Sequence, residues 1–354
     1  MWQAVRDAFV ALIPTHLDAV TRLGMAKDLL VFLRDHCPDK GHYGEAMRGA
    51  WARLKDFPED YLVHEYLEDA HEPLGFRDFI VRAQDQGLDY LGEADFALMF
   101  PGNYGREFAG ELLSRTSSDI ISVEQMLDVL TGRTFRQTLL VHKDRTADIR
   151  RQITPESVQR VHALPGRGMR IEKDEEATRL IDENGRMLGS RLPSVAKAIE
   201  RIVAAWPGSV SLDDLASGQE TQGRLEVADT MMRLIVTGMA VPLAEPVRAG
   251  RVSARPRALA IARCDVSAGL TESVTLRHDA VRIDPASMVL IPLLDGKSSR
   301  DELAAALLAA AQDGRIEFKR DGIVVTEPRA LREIAREAVP NLLRGLEWAG
   351  LLEP

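Results

Sequence analysis

Hydrophobic residues in the first 142 positions recur at steps of three and four residues. This period places apolar side chains on one face of an α-helix, and it predicts one-sided helices over 17–34 and 120–133. The apolar positions at this spacing are Leu23, Ala26, Leu30 and Leu33 in the first helix, and Ile120, Val123, Leu127 and Leu130 in the second. A further helix is predicted over 2–13. Its apolar face carries Trp2, Val5, Phe9 and Ile13.

Two shorter segments have the pattern of strands. The helical pattern of 76–86 stops at Gly87, and the next residues, 88–91, suit a short strand. Residues 135–141 are the best second strand. We therefore predict a small sheet embedded in the N-terminal helices.

Two charged or proline-containing segments, 143–156 and 244–257, are predicted to be linkers. They divide the chain into three predicted domains, at 1–143, 157–245 and 256–354.

The second and third domains carry the same internal pattern. Residues 207–216 align with 295–304: each has a glycine turn and then a serine, Ser211 or Ser299, with an acidic residue three positions later. That spacing is typical of a capping box at the start of a helix. Each unit also closes with a leucine and a glycine, Leu234 with Gly238 and Leu346 with Gly350. We predict two winged-helix-like units and a mainly α fold with small β elements, of the α+β class.

Charge argues against a nucleic-acid partner. The formal net charge is -9 and the isoelectric point is near 5.5, whereas non-specific nucleic-acid binding needs clustered Lys and Arg. In the candidate recognition helix, 224–239, Arg224 and Arg233 are offset by Glu226 and Asp229. Protein contacts are therefore the predicted use of these units.

The two cysteines, Cys37 and Cys264, are too far apart in sequence to indicate a disulfide framework or a thiolate metal site. The first residues lack a secretory pattern, and the longest aliphatic runs are too short to span a bilayer. We expect a cytoplasmic protein without a membrane partner.

Catalytic signatures are missing from the sequence. It has no phosphate-binding or dinucleotide loop, no Gly-x-Ser-x-Gly elbow and no His-Glu-x-x-His pair. We therefore predict no catalytic, cofactor-binding or metal-binding residue in this chain.

The densest group of reactive side chains lies at 61–73. On a helix His64 and Glu68 would share one face, with His71 close to two turns away, which permits a metal site. A solvated helix end, or a buried His64 that fixes the packing of Tyr66 and Leu67, are the alternatives, and we favour the buried histidine. Glu93 and Asp95 are candidates to join this group in space.

Four segments carry a resemblance to a known family: 61–68 with His64-Glu65-Tyr66, 72–76 with Glu72-Pro73-Leu74-Gly75-Phe76, 87–95 with Gly92-Glu93-Ala94-Asp95, and 134–140 with Thr134-Phe135-Arg136-Gln137. They resemble the predicted regulatory domain of bacterial SAM-dependent methyltransferases. That family includes protein-lysine methyltransferases acting on outer-membrane proteins. Residues 157–354 are similar to the C-terminal part of the same enzymes, mainly through Leu294-Asp295-Gly296 and the capped helix that follows.

In that family a SAM-binding domain with a Rossmann-like fold precedes the regulatory domain, and this sequence lacks its glycine-rich loop. The resemblance therefore implies a non-catalytic regulatory or substrate-presenting module. It would act with a separate or missing SAM-binding domain, which would hold S-adenosylmethionine, or with the protein substrate. The alternatives are a methyltransferase with an unrecognised SAM site and a winged-helix transcriptional or scaffold protein.

Six residues are predicted to form an interface or substrate cleft: His64, Glu65, Tyr66, Glu93, Asp95 and Arg136. Arg136 alternates with Phe135 and Gln137 on the predicted strand, so its side chain faces away from theirs and can pair with a carboxylate. The apolar face of helix 2–13 would be exposed where it meets the SAM-binding domain. The alternative is an amphipathic helix packed on its own domain.

Overall fold

The computed structural model describes residues 2–38, 40–68, 72–320 and 322–354, with side chains from residue 5 onwards in the first helix. About 53% of the chain is helical and 14% is in strands, which confirms the α+β class. The chain divides into two compact units, 1–75 and 76–354. This division falls inside the predicted 1–143 domain, and the bounds of the three domains remain predictions.

The first unit is a group of four helices with one apolar core. Its helices are α1 (Trp2–Leu12), α2 (Ala19–His36), α3 (His42–Leu54) and α4 (Glu59–Tyr66). Asp18 caps α2 by accepting a hydrogen bond from the Thr21 N–H at 3.0 Å.

The face of α1 that was predicted to be exposed lies in this core. Val5, Phe9 and Ile13 are each less than 5% exposed and pack with Leu23 and Leu54. The prediction of an exposed stripe is therefore wrong for these three residues, because the other helices of the same unit cover them. The Trp2 side chain lies outside the described residues.

The second unit opens with three helices around a two-stranded sheet. The elements are α5 (Phe76–Asp85), β1 (Leu88–Glu93), α6 (Arg106–Arg115), α7 (Ile120–Thr131) and β2 (Thr138–His142). β1 and β2 pair antiparallel, which confirms the small embedded sheet. β2 begins at Thr138 rather than at Phe135.

Residues 162–243 lie in the region predicted as the first winged-helix-like unit, and we keep that name for them. Its elements are β3 (His162–Pro165), β4 (Arg170–Lys173), β5 (Thr178–Ile181), β6 (Met187–Ser190), α8 (Pro193–Ala205), β7 (Val210–Ser211), α9 (Leu212–Leu215), α10 (Thr221–Val236) and β8 (Ala240–Leu243). One sheet has the order β7-β3-β8 and a second has the order β4-β5-β6.

Residues 257–352 form the second such unit. Its elements are α11 (Ala260–Ser267), β9 (Glu272–Val274), β10 (Ala280–Arg282), α12 (Pro285–Leu290), α13 (Arg300–Gln312), β11 (Lys319–Arg320), β12 (Ile323–Val324) and α14 (Pro328–Trp348).

The two units share a framework. In the first, β3 lies between β7, which leads into a capped helix, and β8, which follows the last helix. In the second, Arg257 bridges Asp295 before the capped helix, and Ala258 bridges Leu352 after the last helix. Ser211 and Ser299 both form complete capping boxes. The predicted internal repeat is therefore present in three dimensions.

The segments predicted as linkers are packed against the rest of the second unit. The Arg151 guanidinium lies 5.4 Å from the centre of the Tyr90 ring. In the other segment the Val247 carbonyl accepts a hydrogen bond from the Ser209 N–H at 2.8 Å, and Arg251 binds Glu347 at 3.0 Å. Each segment is held by contacts to neighbouring elements, among them those of Arg151 and Arg251.

Candidate functional site

Five charged side chains lie together between α7 and the β1–β2 sheet, and we call them the Arg136 cluster. They are Glu93 at the end of β1, Glu124 and Asp128 on α7, and Arg133 and Arg136 between α7 and β2. Glu124 is fully buried and Glu93 is 4% exposed. Buried charges are costly unless they are paired and hydrogen-bonded, so the geometry of the pairing decides what this cluster does.

Arg136 contacts all three carboxylates of the cluster. Its Nη1 lies 2.5 Å from Glu93 Oε1, its Nη2 lies 3.0 Å from Glu124 Oε2, and its Nε lies 2.9 Å from Asp128 Oδ2. The flat face of its guanidinium covers the Phe76 ring, with Cζ 3.8 Å from the ring centre. The predicted pairing of Arg136 with a carboxylate is present, with three partners in place of one.

Arg133 completes the cluster without neutralising it. Its Nη1 donates to Glu124 Oε2 at 3.2 Å, and its Nη2 donates to the Leu98 carbonyl at 3.0 Å. Three carboxylates face two guanidinium groups. Glu124 Oε1 has no hydrogen-bond partner among the residues that the structure describes.

Burial shifts two titrating groups in this region. Loss of solvation raises the pKa of Glu124, although the guanidinium of Arg136 opposes part of that shift. Burial also raises the pKa of Tyr90, whose hydroxyl donates to Glu93 Oε1 at 3.3 Å. Tyr90 is therefore a neutral donor at physiological pH.

The geometry of the Arg136 cluster is suited to positioning. Its hydrogen bonds join α7 to the end of β1 and to the segment before β2, so the helix and the sheet keep a fixed arrangement. Its side chains point at one another rather than into open space. We therefore regard Arg136 and Glu93 as positioning residues.

The other four predicted site residues lie elsewhere. Asp95 is exposed just after β1. His64, Glu65 and Tyr66 are on α4 of the first unit. Of the six predicted residues, the structure brings Glu93 and Arg136 together. The three residues on α4 belong to the first compact unit.

His64 is exposed, so the prediction of a buried histidine is wrong. Its side chain is 76% exposed, and Nδ1 lies 3.2 Å from Glu68 Oε1 one helical turn away. The predicted one-turn spacing is present, but at a solvated helix end. His71 lies outside the described residues, and a search of the described parts of the chain finds no group of three His, Cys, Asp or Glu residues that could hold a metal ion.

Sequence reasoning missed three members of the Arg136 cluster: Glu124, Asp128 and Arg133. The sequence contains a signal for the two acidic residues. They are four positions apart on α7 and therefore lie on the same face of that helix. Glu124 also follows Val123 on the apolar face of that helix, where a charge requires a buried partner. Arg133 gives no such signal.

Two family models match separate parts of the chain. Residues 58–142 match the predicted methyltransferase regulatory domain, and residues 254–351 match the C-terminal winged helix domain of PKMT. The resemblance drawn from the sequence motifs is thereby confirmed, and so is the winged helix at the C-terminus.

The whole chain is also similar to longer rickettsial proteins. The structure of PKMT2 from Rickettsia typhi superposes with a TM-score of 0.81 at 20% identity, covering 99% of this chain and 72% of that one. Its complex with AdoHcy gives a TM-score of 0.78 over the same shares. The uncharacterized protein RP789 of Rickettsia prowazekii (strain Madrid E) is 21% identical over 94% of this chain, which spans 63% of that protein's length. The likeness establishes the fold.

These comparisons overturn the functional prediction. We expected a non-catalytic module that acts with a separate or missing SAM-binding domain. The chain instead follows, over nearly its full length, a protein whose structure was determined with AdoHcy. The prediction rested on the missing glycine-rich loop, and the absence of that motif does not by itself exclude methyltransferase activity.

Among the described residues, no helix is both long enough and apolar enough to cross a membrane.

Proposed function

We propose that this chain functions within a SAM-dependent methyltransferase whose acceptor is a protein lysine side chain. One observation carries the proposal. PKMT2 from Rickettsia typhi is similar to 99% of this chain, and its structure was also determined in complex with AdoHcy. The matches of 58–142 and 254–351 to methyltransferase-associated domains support the proposal. The activity is proposed for the protein as a whole.

The described residues do not fit a nucleoside cofactor. Their strand pairs are all antiparallel, whereas Rossmann-type sites lie where parallel strands lead into helices. The chain also has a turn with two glycines, Gly166 and Gly168, but this turn is packed against other parts of the chain. The Gly166 N–H donates to the Met239 carbonyl at 2.9 Å, and the Arg167 guanidinium lies 4.5 Å from the centre of the Trp348 ring. We therefore name no SAM-binding residue among the described residues, derive no step through SAM, and propose SAM binding for the protein as a whole.

The chain's own residues would position and bind the acceptor. Arg136 and Glu93 fix α7 against the sheet, and the neighbouring Asp95 is exposed. His64 and Glu65 on α4 are exposed as well. Carboxylates on open surfaces attract the lysine ammonium group, so we propose that Asp95, in the second unit, contacts the acceptor protein.

DNA binding has little support from the surface of α10. Arg224 pairs with Asp213 at 2.5 Å, and Arg233 pairs with Asp229 at 2.8 Å. Both arginines of the candidate recognition helix thus have carboxylate partners, which compete with phosphate groups.

Calorimetric titration of the intact protein with SAM and AdoHcy tests the proposal. We expect saturable binding, together with a one-methyl mass increase on lysine of an added protein acceptor in the presence of SAM. The proposal fails if neither ligand binds at millimolar concentration and no acceptor gains a methyl group.

A further inference from the structure

The two edges of the β4-β5-β6 sheet differ in charge. The β4 edge carries Arg170, Glu172 and Lys173, and charged side chains are a common protection against pairing with another strand. The β6 edge consists of Met187-Leu188-Gly189-Ser190 and has no charged side chain. Only the β4 edge is thus protected by charge.

The register shows which backbone groups the β6 edge offers. The Asp182 N–H donates to the Arg186 carbonyl at 3.1 Å, at the end of the β5–β6 hairpin. Hydrogen-bonded and non-hydrogen-bonded pairs alternate along an antiparallel ladder. Met187 and Gly189 therefore direct their N–H and C=O groups away from β5. No other strand of the described residues pairs with this edge.

A groove of about 360 Å³ runs between this edge and α10. Part of its wall is apolar and open, since Leu192 is 43% exposed and Leu225 is 50% exposed. Gly189 lies in the groove wall without a side chain. A glycine in a strand often marks a place where another backbone approaches closely.

The charged groups of the groove favour a basic occupant. Glu226 and Asp229 of α10 line it, and its one basic residue, Arg233, is already paired with Asp229 at 2.8 Å. Glu226 accepts hydrogen bonds from the Ser194 hydroxyl and from Gln222 Nε2. Aliphatic walls with carboxylates suit a lysine, whose apolar stem packs while its ammonium group seeks a carboxylate.

We propose that an extended, lysine-containing segment of the acceptor protein binds in this groove as a fourth strand on β6. Its backbone would pair with the outward groups of Met187 and Gly189, and its lysine would face Glu226, the carboxylate of the groove that is not paired with Arg233. Strand addition of this kind takes affinity from backbone hydrogen bonds and specificity from alternate side chains. The inference rests on the proposed function, because it identifies the occupant as the methyl acceptor.

Fluorescence anisotropy with a labelled peptide of alternating valine and lysine tests the inference on the intact protein. We expect saturable binding, and weaker binding of a peptide with glutamate in place of lysine. Gly189→Pro removes one outward N–H and spares the ladder to β5, so it should weaken binding about tenfold. Gly189→Ala keeps the N–H but adds a methyl group 3.2 Å from Arg179 Cγ, so it should weaken binding less than Gly189→Pro does.

A second pair of variants isolates the charge. Glu226→Gln keeps an acceptor for Ser194 but removes a negative charge, and we expect about three- to tenfold weaker binding. Glu200→Gln removes an exposed charge that pairs with Lys173 and should leave the affinity unchanged.

The inference is overturned if the lysine peptide does not bind saturably, or if Gly189→Pro and Glu226→Gln both bind it as the unaltered protein does. The assay requires neither SAM nor methyl transfer. Failure of peptide binding is therefore distinct from failure of SAM binding, which would overturn the proposed function.

Discussion

The region 76–142 and the two winged-helix-like units are stabilised in different ways. Each winged-helix-like unit has a large apolar cluster, centred on residues such as Ile199 in the first and Leu343 in the second. In 76–142 the two buried apolar clusters are small, and the Arg136 cluster joins α7 to the sheet. The stability of the apolar cores depends on the volume that buried side chains fill, and the stability of the Arg136 cluster depends on its ion pairs, so the two should respond differently to substitution.

The largest effect is expected where pairing is broken. Arg136→Met leaves Glu93, Glu124 and Asp128 with Arg133 as their remaining cation, and loss of one partner from a buried ion pair costs about 3–5 kcal/mol. Urea denaturation of the full chain measures the change in the free energy of unfolding.

The matched control for this change is Arg115→Met. Arg115 is 72% exposed and pairs with Glu111 on the same helix, so we expect a loss below about 1 kcal/mol. Equal losses in the two variants would show that the Arg136 cluster adds nothing beyond an exposed pair.

Substitution of equivalent leucines in the two winged-helix-like units should lower the free energy of unfolding by similar amounts. Leu215 and Leu303 occupy the same position after the capping box and are 2% and 0% exposed. Each Leu→Ala change should cost about 2–5 kcal/mol through lost burial and the cavity left behind. Urea denaturation gives both values, with Leu270→Ala, at a site 53% exposed, as the control. If the two losses differed by more than about 3 kcal/mol, the width of this range, the two units would not be equivalent at this position.

The capping boxes allow a finer test of the same equivalence. Ser211→Ala and Ser299→Ala each remove a side chain that accepts a hydrogen bond from a backbone N–H at the helix start. We expect a loss of about 1 kcal/mol from each. Thermal and urea unfolding provide the measurement. Ser298→Ala, next to the cap, should have a smaller effect, and an equal effect would argue against a capping role for Ser299.

The smallest expected effect is the pH dependence of the stability that the Arg136 cluster provides. Burial raises the pKa of Glu124, so the folded protein holds this proton more tightly than the unfolded chain does. The resulting stabilisation is complete below the ordinary glutamate pKa and is lost as the pH rises through the raised value. Glu124→Gln lacks this titration.

The difference in unfolding free energy between Glu124→Gln and the unaltered protein should therefore move in favour of the variant as the pH rises above the ordinary glutamate pKa of about 4.3. Urea denaturation at several pH values measures it. A difference that stays constant with pH would mean that Glu124 does not titrate as its burial implies.

Local patterns predicted the elements and the repeat well. The apolar spacing of Leu23, Ala26 and Leu30 gave α2, and the serine-acid spacing at Ser211 and Ser299 gave both capped helices. These features depend on residues within a few positions of one another, so the sequence displays them directly.

Patterns failed where distant segments meet. The stripe of Val5 and Phe9 was predicted to be exposed, and other helices of its unit bury it. His64 was expected in a core and lies in solvent. An apolar stripe shows that a helix has a buried face, but it does not identify what covers that face.

The sequence by itself therefore determined several of the helices, the embedded sheet, the internal repeat and the family resemblance, because each is encoded in short-range spacing or in ordered motifs. The tertiary structure alone decided which carboxylates surround Arg136 and which sheet edge stays open at Gly189. Arg136 and Glu93 are 43 positions apart. Such a contact exists only when the folded backbone brings the two together, and no local pattern specifies it.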